Sequence, residues 1–497
     1  MSTFPHPLYS QHVLQPAYLD AQRYLFDPML AAHEAHALML AECDVISQAN
    51  ALALLQAVAQ IRDEGVDALA YQPGVEDLFF RIEARIIELA GPDYGGNLQL
   101  ARSRNDLGQA LARMACRQQI LALYGDLLAL RRAILDQART HVSTIMPGYT
   151  HTQPAQPVTF AHYLAGVLTF LAKDQARLAA AYANVNESPL GAAAFTGTGF
   201  PIDRQRLADL LGFDRVIAST HHSIGAGDHL TDIAFAVQSL ATGLSRITKD
   251  LLFLATQEAN ALRIDDSFIQ ISSIMPQKRN PVVLEHLRAR LSRTLGAAQA
   301  VVLQCHNIPY GDTQDIEDEI MPPLNEALQS AQACVTLYMA FFETVQLNAE
   351  HLRRRAGEGF TTATELADTL VREAGLPFRL AHKVVAQMVQ RAVRQGVSSG
   401  ALTLAMLHEA AEAVLNEPIN FTAEQLARAL DAETFIHARG GLGGVAPTAT
   451  GALLNQLQAG LRGDQEWLAA TQTRLHQANI LRSQARSDLK GPRVRPG

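Results

Sequence analysis

Several residue classes are scarce in this 497-residue sequence, and each scarcity narrows the range of functions. Charged residues make up 18% of the chain and aromatic residues 6%, with one tryptophan. The formal charge is −8, from 41 basic and 49 acidic residues. A protein that binds nucleic acid carries a basic domain or stripe, which this balance argues against. We therefore expect no nucleic-acid partner.

Cysteines and long apolar runs are also few. The four cysteines, Cys43, Cys116, Cys305 and Cys334, show no C-x-x-C spacing. They are typical of buried thiols in a reducing compartment and not of a disulfide framework or a zinc site. The chain has no uncharged apolar run of membrane-spanning length, and its N-terminus lacks the pattern of a signal peptide. We expect a cytoplasmic protein without a membrane partner.

Apolar residues are plentiful, at 48%, and they recur at helical spacing. After Asp228 an apolar face continues for about seven turns, with Asp228 or Thr231 available as its N-cap. A helix this long needs neighbours of similar length, which predicts an all-α bundle completed by other copies of the chain. Strand patterns are almost absent. Shorter helices are predicted over Ala31–Leu40, Ser47–Ile61 and Glu76–Leu89.

Breaks in the helical pattern divide the chain into four parts. The sequence predicts an N-terminal, mostly helical domain over 1–104 and a central long-helix bundle over 105–360. It predicts a small helical domain over 361–465, followed by a C-terminal helix and flexible basic tail over 466–497. The basic residues near this end are Arg482, Arg486, Lys490, Arg493 and Arg495, and chain ends commonly fray.

Three segments between the helices are too rich in polar groups for plain connections. The first contains Arg102, Ser103, Arg104, Asn105 and Asp106, directly before a long helix. Ser103, Asn105 or Asp106 could serve simply as a helix cap. Two arginines with hydroxyl and amide donors at a helix N-terminus would also form a receptor for a carboxylate.

The second segment, GYTHTQPAQP, runs from Gly148 to Pro157. Its prolines and glycine constrain the backbone, while Thr150, His151 and Gln156 offer hydrogen-bonding groups. A lone histidine is more often structural than catalytic. The polar residues around His151 favour a role in proton transfer, because the unperturbed pKa of a histidine is suited to it near neutral pH.

The third segment, ISSIMPQKRNP, covers residues 271–281. A plain loop could carry its serines and prolines, but here a base or nucleophile, a cation and an amide fall within eleven positions. None of the three segments shows metal-ligand spacing, a glycine-rich phosphate loop or a G-x-S-x-G pattern. A serine–histidine hydrolase is compatible with the residue types, but an all-helical scaffold with anion-binding loops favours another chemistry.

The third segment resembles the GSSxMPxKxNP signature of the aspartase/fumarase superfamily, and the other two resemble its remaining active-site segments. SRND, GYTHTQPAQP, SPLGAAAFTGTGFPIDR, SSIMPQKRNP and ADTLVREAGLPFRLAH are similar to segments of the argininosuccinate lyase family. The likeness runs from about Ala31 to Pro447. It implies a three-domain all-α chain in a homotetramer, with each active site built from three chains around a central bundle.

The resemblance also implies the reaction, a reversible β-elimination without a cofactor. An N-substituted aspartate, foremost argininosuccinate, would lose its amine and yield fumarate. Ser272 maps to the base, His151 to the group that protonates the leaving nitrogen, and Lys278 and Asn280 to the stabilisers of a doubly charged carboxylate. A serine is a poor base unless ionised, so the loop must stabilise its alkoxide and close over the substrate. The other implied substrate-binding residues are Ser103, Arg104, Asn105, Thr150, Gln156, Tyr310 and Gln314.

The sequence differs from the family pattern mainly at positions that would contact the leaving amine of the substrate. Ile271 replaces the glycine of the signature, and Phe79 replaces the histidine of Glu-Asp-x-His. Residues 310–319, YGDTQDIEDE, lack the lysine of the family segment that helps to hold arginine. The acidic residues could bind a guanidinium, or another amine as in lyases resembling ethylenediamine-disuccinate lyase. They could also form only a solvent-exposed acidic surface without a ligand. A non-catalytic protein like the related lens crystallins is a third alternative, which the presence of Ser272 and Lys278 argues against.

Overall fold

Helices form nearly all of the regular structure, which confirms the predicted all-α class. The computed structural model describes residues 4–489, except for the side chain of residue 317, so Lys490, Arg493 and Arg495 lie outside the described residues. The helices are α1 Pro7–Tyr9, α2 Gln15–Tyr24, α3 Phe26–Glu42, α4 Gln48–Glu64, α5 Leu78–Ala90, α6 Pro92–Gly95, α7 Arg104–Thr140, α8 Phe160–Val185, α9 Arg204–Leu211, α10 Thr220–Gly225, α11 Asp228–Leu254, α12 Val282–Cys305, α13 Met321–Thr344, α14 Ala349–Ala356, α15 Ala363–Ala374, α16 Phe378–Arg394, α17 Leu404–Leu415, α18 Ala423–Leu430, α19 Ala432–His437 and α20 Pro447–Leu489. Within residues 4–489, no helix combines the length and apolar character needed to cross a membrane.

Strands occur only as short pairs in the described part of the chain. They are β1 Ile145–Thr150, β2 Gln153–Thr159, β3 Glu187–Ser188, β4 Arg215–Val216, β5 Leu262–Arg263, β6 Gln270–Ile271, β7 Arg279–Asn280 and β8 Gln346–Leu347. The pairs β1–β2, β5–β8 and β6–β7 are antiparallel, and β3–β4 is parallel. These pairs close loops at the ends of helices and add no separate layer to the fold.

The three short helices predicted near the N-terminus are confirmed within a few residues as α3, α4 and α5. Each of the last two begins at a side-chain cap. Ser47 accepts the backbone N–H of Asn50 at 3.1 Å, and Asp77 accepts that of Phe80 at 2.9 Å. Such caps satisfy N–H groups that the first helical turn leaves unpaired.

The central bundle consists of α7, α8, α11, α12 and α13, which pack along one another. Their buried faces share one apolar core, represented by Leu127, Leu171, Leu240, Leu287 and Phe341. With 37 residues, α7 is about 55 Å long at 1.5 Å per residue. It therefore sets the distance between the two ends of the bundle.

The start of α11 differs from the prediction by one residue. Asp228 is the first residue of the helix and Gly227 occupies the N-cap position, so neither Asp228 nor Thr231 is the cap. The hydroxyl of Thr231 donates instead to the carbonyl oxygen of Asp228 at 3.0 Å. The carboxylate of Asp228 still lies in the first turn, where the helix dipole favours negative charge.

The C-terminal helix α20 packs along the bundle. It has 43 residues, so the predicted boundary between 465 and 466 falls inside one helix. The indole of Trp467 lies 4.6 Å from the ring of Tyr124 and 5.5 Å from that of Tyr182, between ring centroids. These contacts attach α20 to α7 and α8.

The last turns of α20 are also anchored, although the sequence predicts a C-terminal helix and a flexible basic tail over 466–497 and places Arg482 and Arg486 in that tail. The buried carboxylate of Glu34 forms ion pairs with Arg482 at 3.2 Å and Arg486 at 3.3 Å. The prediction of flexibility is therefore wrong for Arg482 and Arg486. A carboxylate buried in the N-terminal part needs cationic partners, and these two arginines supply them.

Apolar cores fit the predicted domains only in part. A separate core, with Leu370, Met388 and Leu407, lies within the predicted 361–465 unit. The N-terminal core continues past residue 104, because it includes Leu107 and Leu111 of α7. The division into four parts stays a prediction.

Candidate active site

The first polar segment begins α7, and Ser103 is its N-cap. The Ser103 hydroxyl accepts the backbone N–H of Asn105 at 3.3 Å and donates to the Asn105 side-chain oxygen at 2.7 Å. This arrangement confirms Ser103 as a cap and orients the Asn105 amide. Asn105 Nδ2 then donates to a carboxylate oxygen of Asp312 at 2.8 Å, so the first segment meets residues 310–319.

Asp106 connects this segment to a second loop. Its carboxylate is fully buried and accepts the backbone N–H groups of Ser103 at 2.9 Å, Gly191 at 2.9 Å and Ala193 at 3.1 Å. One side chain thus fixes the start of α7 against the loop at 190–193.

Asp106→Ala is expected to lower the free energy of unfolding by about 3–5 kcal/mol, because three buried N–H groups lose their acceptor at about 1–3 kcal/mol each. The measurement is the thermal and urea unfolding midpoint at fixed protein concentration. Asp136→Ala is the matched control, since Asp136 is exposed on the same helix. It should change stability by about 0.5 kcal/mol or less. Equal midpoints for the two variants would contradict the anchoring role of Asp106.

The two arginines do not form the carboxylate receptor that the sequence predicts. Arg102 is buried, its guanidinium donates to the side-chain oxygen of Gln99 at 2.9 and 2.7 Å, and burial lowers the pKa of Arg102 to about 10. Arg104 forms ion pairs with Asp77 at 2.9 Å and Glu76 at 3.4 Å. The expectation is wrong for Arg102, because its side chain points into the N-terminal core.

A cavity of about 350 Å³ lies beside Arg104, between the N-terminal segment and the start of α7. Its lining is largely apolar, with Tyr18 and Met29, but it includes Gln314 and the carboxyl of Asp318. Burial, together with the nearby negative charge of Asp77, raises the pKa of Asp318 to about 6. Arg104 and Gln314, both predicted to bind substrate, therefore line the same cavity.

The second polar segment is a β-hairpin made of β1 and β2, where the sequence predicts a loop. His151 and Thr152 form its two-residue turn, between the paired Thr150 and Gln153, with φ values of 51° and 63°. Residues other than glycine in this left-handed region store about 1–3 kcal/mol each, and such strain concentrates at functional sites. Thr150 and His151 are exposed at the tip.

Contacts along the hairpin place it at the end of the bundle opposite Ser103. A Cβ on Gly148 would lie 3.0 Å from the carbonyl oxygen of Gln156, so glycine permits the close approach of the two strands. The Tyr149 ring lies 5.1 Å from that of Phe253, at the end of α11. The Gln156 amide donates to the Thr364 hydroxyl at 3.0 Å and is thus attached to the C-terminal part of the chain.

The third polar segment is a loop closed by β6 and β7, in which Asn280 pairs with Gln270. The oxygen of Ser272 accepts the backbone N–H groups of Met275 at 3.1 Å and Ile274 at 3.4 Å. Hydrogen bonds to an oxygen favour its ionised form. The loop therefore has the N–H donors that a serine base requires.

Apolar side chains of the same loop project into solvent. Ile271 is 73% exposed and Ile274 is 83% exposed, and Lys278 is exposed as well. Neighbouring exposed apolar groups mark surfaces that become covered by a ligand or a protein. This exposure fits a loop that closes over a substrate or against a second chain.

The predicted site residues form two groups at opposite ends of α7. The group at its N-terminus comprises Ser103, Arg104, Asn105, Tyr310 and Gln314. The group at its C-terminus comprises Thr150, His151, Gln156, Ser272, Lys278 and Asn280. Because α7 is about 55 Å long, the two groups cannot meet within one chain.

Two histidines that sequence reasoning did not single out lie in the first group. His222 Nδ1 is 2.8 Å from the Tyr310 hydroxyl, and His221 Nε2 is 2.9 Å from the Tyr310 carbonyl oxygen. The adjacent histidines of the sequence THHS were the available signal. In residues 4–489, no group of three or more His, Cys, Asp or Glu side chains is placed to hold a metal ion.

Comparisons with known proteins agree along nearly the whole chain. The family described as lyase matches residues 9–296, and the family described as argininosuccinate lyase C-terminal matches residues 360–437. The argininosuccinate lyase of Methanoculleus marisnigri is 37% identical over 459 residues, 92% of each protein. That of Halobacterium salinarum is 39% identical over 449 residues, 90% of each. A variant of EDDS lyase with bound fumarate is 30% identical, with a TM-score of 0.87 over 98% of this chain and 96% of that chain.

The helical bundle, its polar loops and these likenesses define a fumarate-releasing carbon–nitrogen lyase of the aspartase/fumarase superfamily. Two family matches and relatives of nearly equal length narrow the assignment further. The chain belongs to the argininosuccinate lyase family. The predicted fold class, family and enzyme class are confirmed, and the roles of the individual site residues stay predictions.

Proposed function

We propose that this enzyme converts argininosuccinate to arginine and fumarate, as a cytoplasmic homotetramer. The observation that carries the proposal is the likeness to argininosuccinate lyases over at least 90% of both proteins. The backbone donors around Ser272 support it, because they supply the chemistry that the elimination needs.

The first step proposed is removal of a proton from the carbon beside a substrate carboxylate. The alkoxide of Ser272 takes this proton, and the electron pair moves into the carboxylate, which then carries two negative charges. Lys278 and Asn280 follow Ser272 in the same loop and provide a cation and an amide for this charge. Preorganised donors of this kind stabilise a developing oxyanion most strongly where water is excluded.

The second step proposed is departure of the amine. The electron pair returns to form the carbon–carbon double bond of fumarate, the carbon–nitrogen bond breaks, and the leaving nitrogen receives a proton from His151. Exposure of His151 at the hairpin tip supports this role, because the group must reach a substrate held by another part of the enzyme. Thr150, beside it, grips the substrate.

Two features support an active site shared between chains. The groups around Asn105 and Ser272 are separated by the length of α7, so one chain supplies each site with only part of its residues. Large apolar side chains also lie exposed on the bundle helices, with Phe235 at 53% and Leu303 at 63%. A second copy of the chain packed along α11 and α12 would bury them, as in helical bundles built from several subunits.

A second candidate function keeps the elimination and changes the amine. Residues 310–319 lack the lysine expected in argininosuccinate lyases, and the structural likeness to an EDDS lyase variant with bound fumarate covers 98% of the chain. The carboxyls of Asp312 and Asp318 lie near Asn105 and Arg104, respectively, at the end of the bundle where this segment lies. They are compatible with a guanidinium and with other cationic amines.

Fumarate release from a panel of N-substituted aspartates, followed by ultraviolet absorbance, separates these candidates. We expect kcat/KM for argininosuccinate to exceed that of ethylenediamine-disuccinate and of simple N-alkyl aspartates by about 100-fold or more, because unpaired pocket groups reject the wrong amine. A higher value for another panel member would establish the second candidate. No turnover of any member by a folded tetramer would overturn both.

A further inference from the structure

The short helix α10 forms a support for Tyr310. The ring of His221 stacks on that of Tyr310, with centroids 5.6 Å apart and planes inclined by 19°. His221 Nε2 also donates to the Tyr310 carbonyl oxygen at 2.9 Å. At Gly225, a Cβ would lie 2.8 Å from the Tyr310 carbonyl carbon, so any larger residue would push this segment away. Two residues of one helix, His221 and Gly225, thus fix the backbone and the ring of Tyr310.

The Tyr310 hydroxyl belongs to a chain of three polar side chains. His222 Nδ1 lies 2.8 Å from that hydroxyl, and His222 Nε2 lies 3.8 Å from a carboxylate oxygen of Asp228. The same carboxylate oxygen accepts the amide of Asn184 at 3.2 Å. At 3.8 Å the carboxylate of Asp228 is beyond hydrogen-bond distance, but its negative charge favours the imidazole proton on the nearer nitrogen, Nε2. Nδ1 is then an acceptor, and the Tyr310 hydroxyl donates to it.

The direction of this hydrogen bond decides what Tyr310 offers to a ligand. Because the Tyr310 hydroxyl donates its proton to His222, the phenol oxygen can accept a hydrogen bond from a second partner but cannot donate one. The side chain is exposed, with Tyr310 at 59%, and its segment carries Asp312, which accepts from Asn105 at 2.8 Å. The end of the bundle around Asn105 therefore presents acceptors from Tyr310 and Asp312.

We propose that His222 is a positioning residue that holds the Tyr310 phenol as a hydrogen-bond acceptor and thereby selects a leaving amine that bears a cationic N–H donor. This inference rests on the proposed elimination and names the chemical class of its amine. Asp228 maintains the required tautomer, and His221 and Gly225 maintain the position of the backbone. An amine without a cationic donor would give the phenol oxygen of Tyr310 no hydrogen bond in the complex, which costs binding energy.

The test compares His222→Leu with His222→Asn. The leucine removes the acceptor, whereas the asparagine side-chain oxygen occupies nearly the place of Nδ1 and accepts the same hydroxyl. In the synthetic direction, His222→Leu should raise the KM for arginine about 10-fold, the loss of roughly one hydrogen bond. The KM for fumarate and kcat should change by less than about two-fold, and His222→Asn should restore the KM for arginine to near its original value.

Controls separate this inference from a loss of folding. His476→Leu, at an exposed position of α20, should leave every constant unchanged. In a Tyr310→Phe background, His222→Leu should add nothing, because the hydroxyl that it positions is already absent. The inference would be overturned if the two substitutions raised the KM for arginine independently, so that their effects added in the double variant. A fall in kcat with an unchanged KM for arginine would also overturn it.

Calorimetric titration of arginine into fumarate-loaded tetramers makes the same comparison without turnover when every protein, with or without a change at His222, also carries Ser272→Ala. Weaker arginine binding by His222→Leu than by His222→Asn supports the inference. Equal binding by both variants, or no arginine binding by the original protein, overturns it. A different result, the absence of fumarate release from argininosuccinate, would contradict the proposed function itself.

Discussion

Ser272→Ala is expected to lower kcat by about 10²–10⁴-fold, the range for loss of a positioned base, without disturbing the proposed tetramer. The oxygen of Ser272 accepts N–H groups only from its own loop among the described contacts, at Met275 and Ile274. The side chain is half-buried at the bundle end, so its loss removes little packing. The effect should therefore appear in the rate and leave stability nearly unchanged.

Ser273→Ala is the matched control for this variant, since Ser273 is the exposed neighbour in the same loop. We expect its rate to stay within about three-fold of the original, as for a surface change away from the reacting atoms. Fumarate release gives the rate, and size-exclusion chromatography with a thermal melt gives the assembly state. A rate for Ser272→Ala within ten-fold of the original would remove that serine from the role of base.

Mixed tetramers of two inactive variants are expected to regain activity. Asn105→Ala and Ser272→Ala change residues at opposite ends of α7, and the proposed shared site takes these residues from different chains. With random mixing, about one site in four receives an intact Asn105 from one chain and an intact Ser272 from another. The mixture should therefore recover roughly a quarter of the original activity, about 25-fold or more above either variant alone.

Ser272→Ala mixed with Lys278→Ala is the control pair for this experiment. Both positions lie in one loop of one chain, so every site in the mixture receives one damaged loop. No recovery is expected. Tetramers that carry two different affinity tags verify the mixing. Absence of recovery in verified Asn105–Ser272 hybrids, or equal recovery in the control pair, would contradict the shared site.

Helix positions were predictable from the sequence because apolar periodicity reports burial directly. The face after Asp228 is the clearest case, and the structure gives α11 from that residue to Leu254. The hairpin at β1 and β2 was missed for a physical reason. A two-residue turn with positive φ at both positions is usually marked by Asn or Gly, and here it contains His151 and Thr152.

The ordered end of α20 shows the limit of local reasoning. Arg482 and Arg486 look like part of a basic tail until the buried Glu34 is known to face them, 448 and 452 positions earlier in the chain. Arg102 shows the reverse case, since it looks like a ligand-binding cation and lies in the core. The neighbouring sequence contains no information about the partner of Arg482 and Arg486, and none about the burial of Arg102.

The sequence by itself determined the class of fold, because helical periodicity is a local property, and its resemblance to a known superfamily indicated the chemistry. It assigned Ser272, Lys278 and Asn280 to one loop without any structure. The tertiary structure alone decided which segments share an end of the bundle, and it placed His222 against Tyr310, 88 positions away. The physical reason is that a rigid helix of about 55 Å fixes distances that no local pattern encodes.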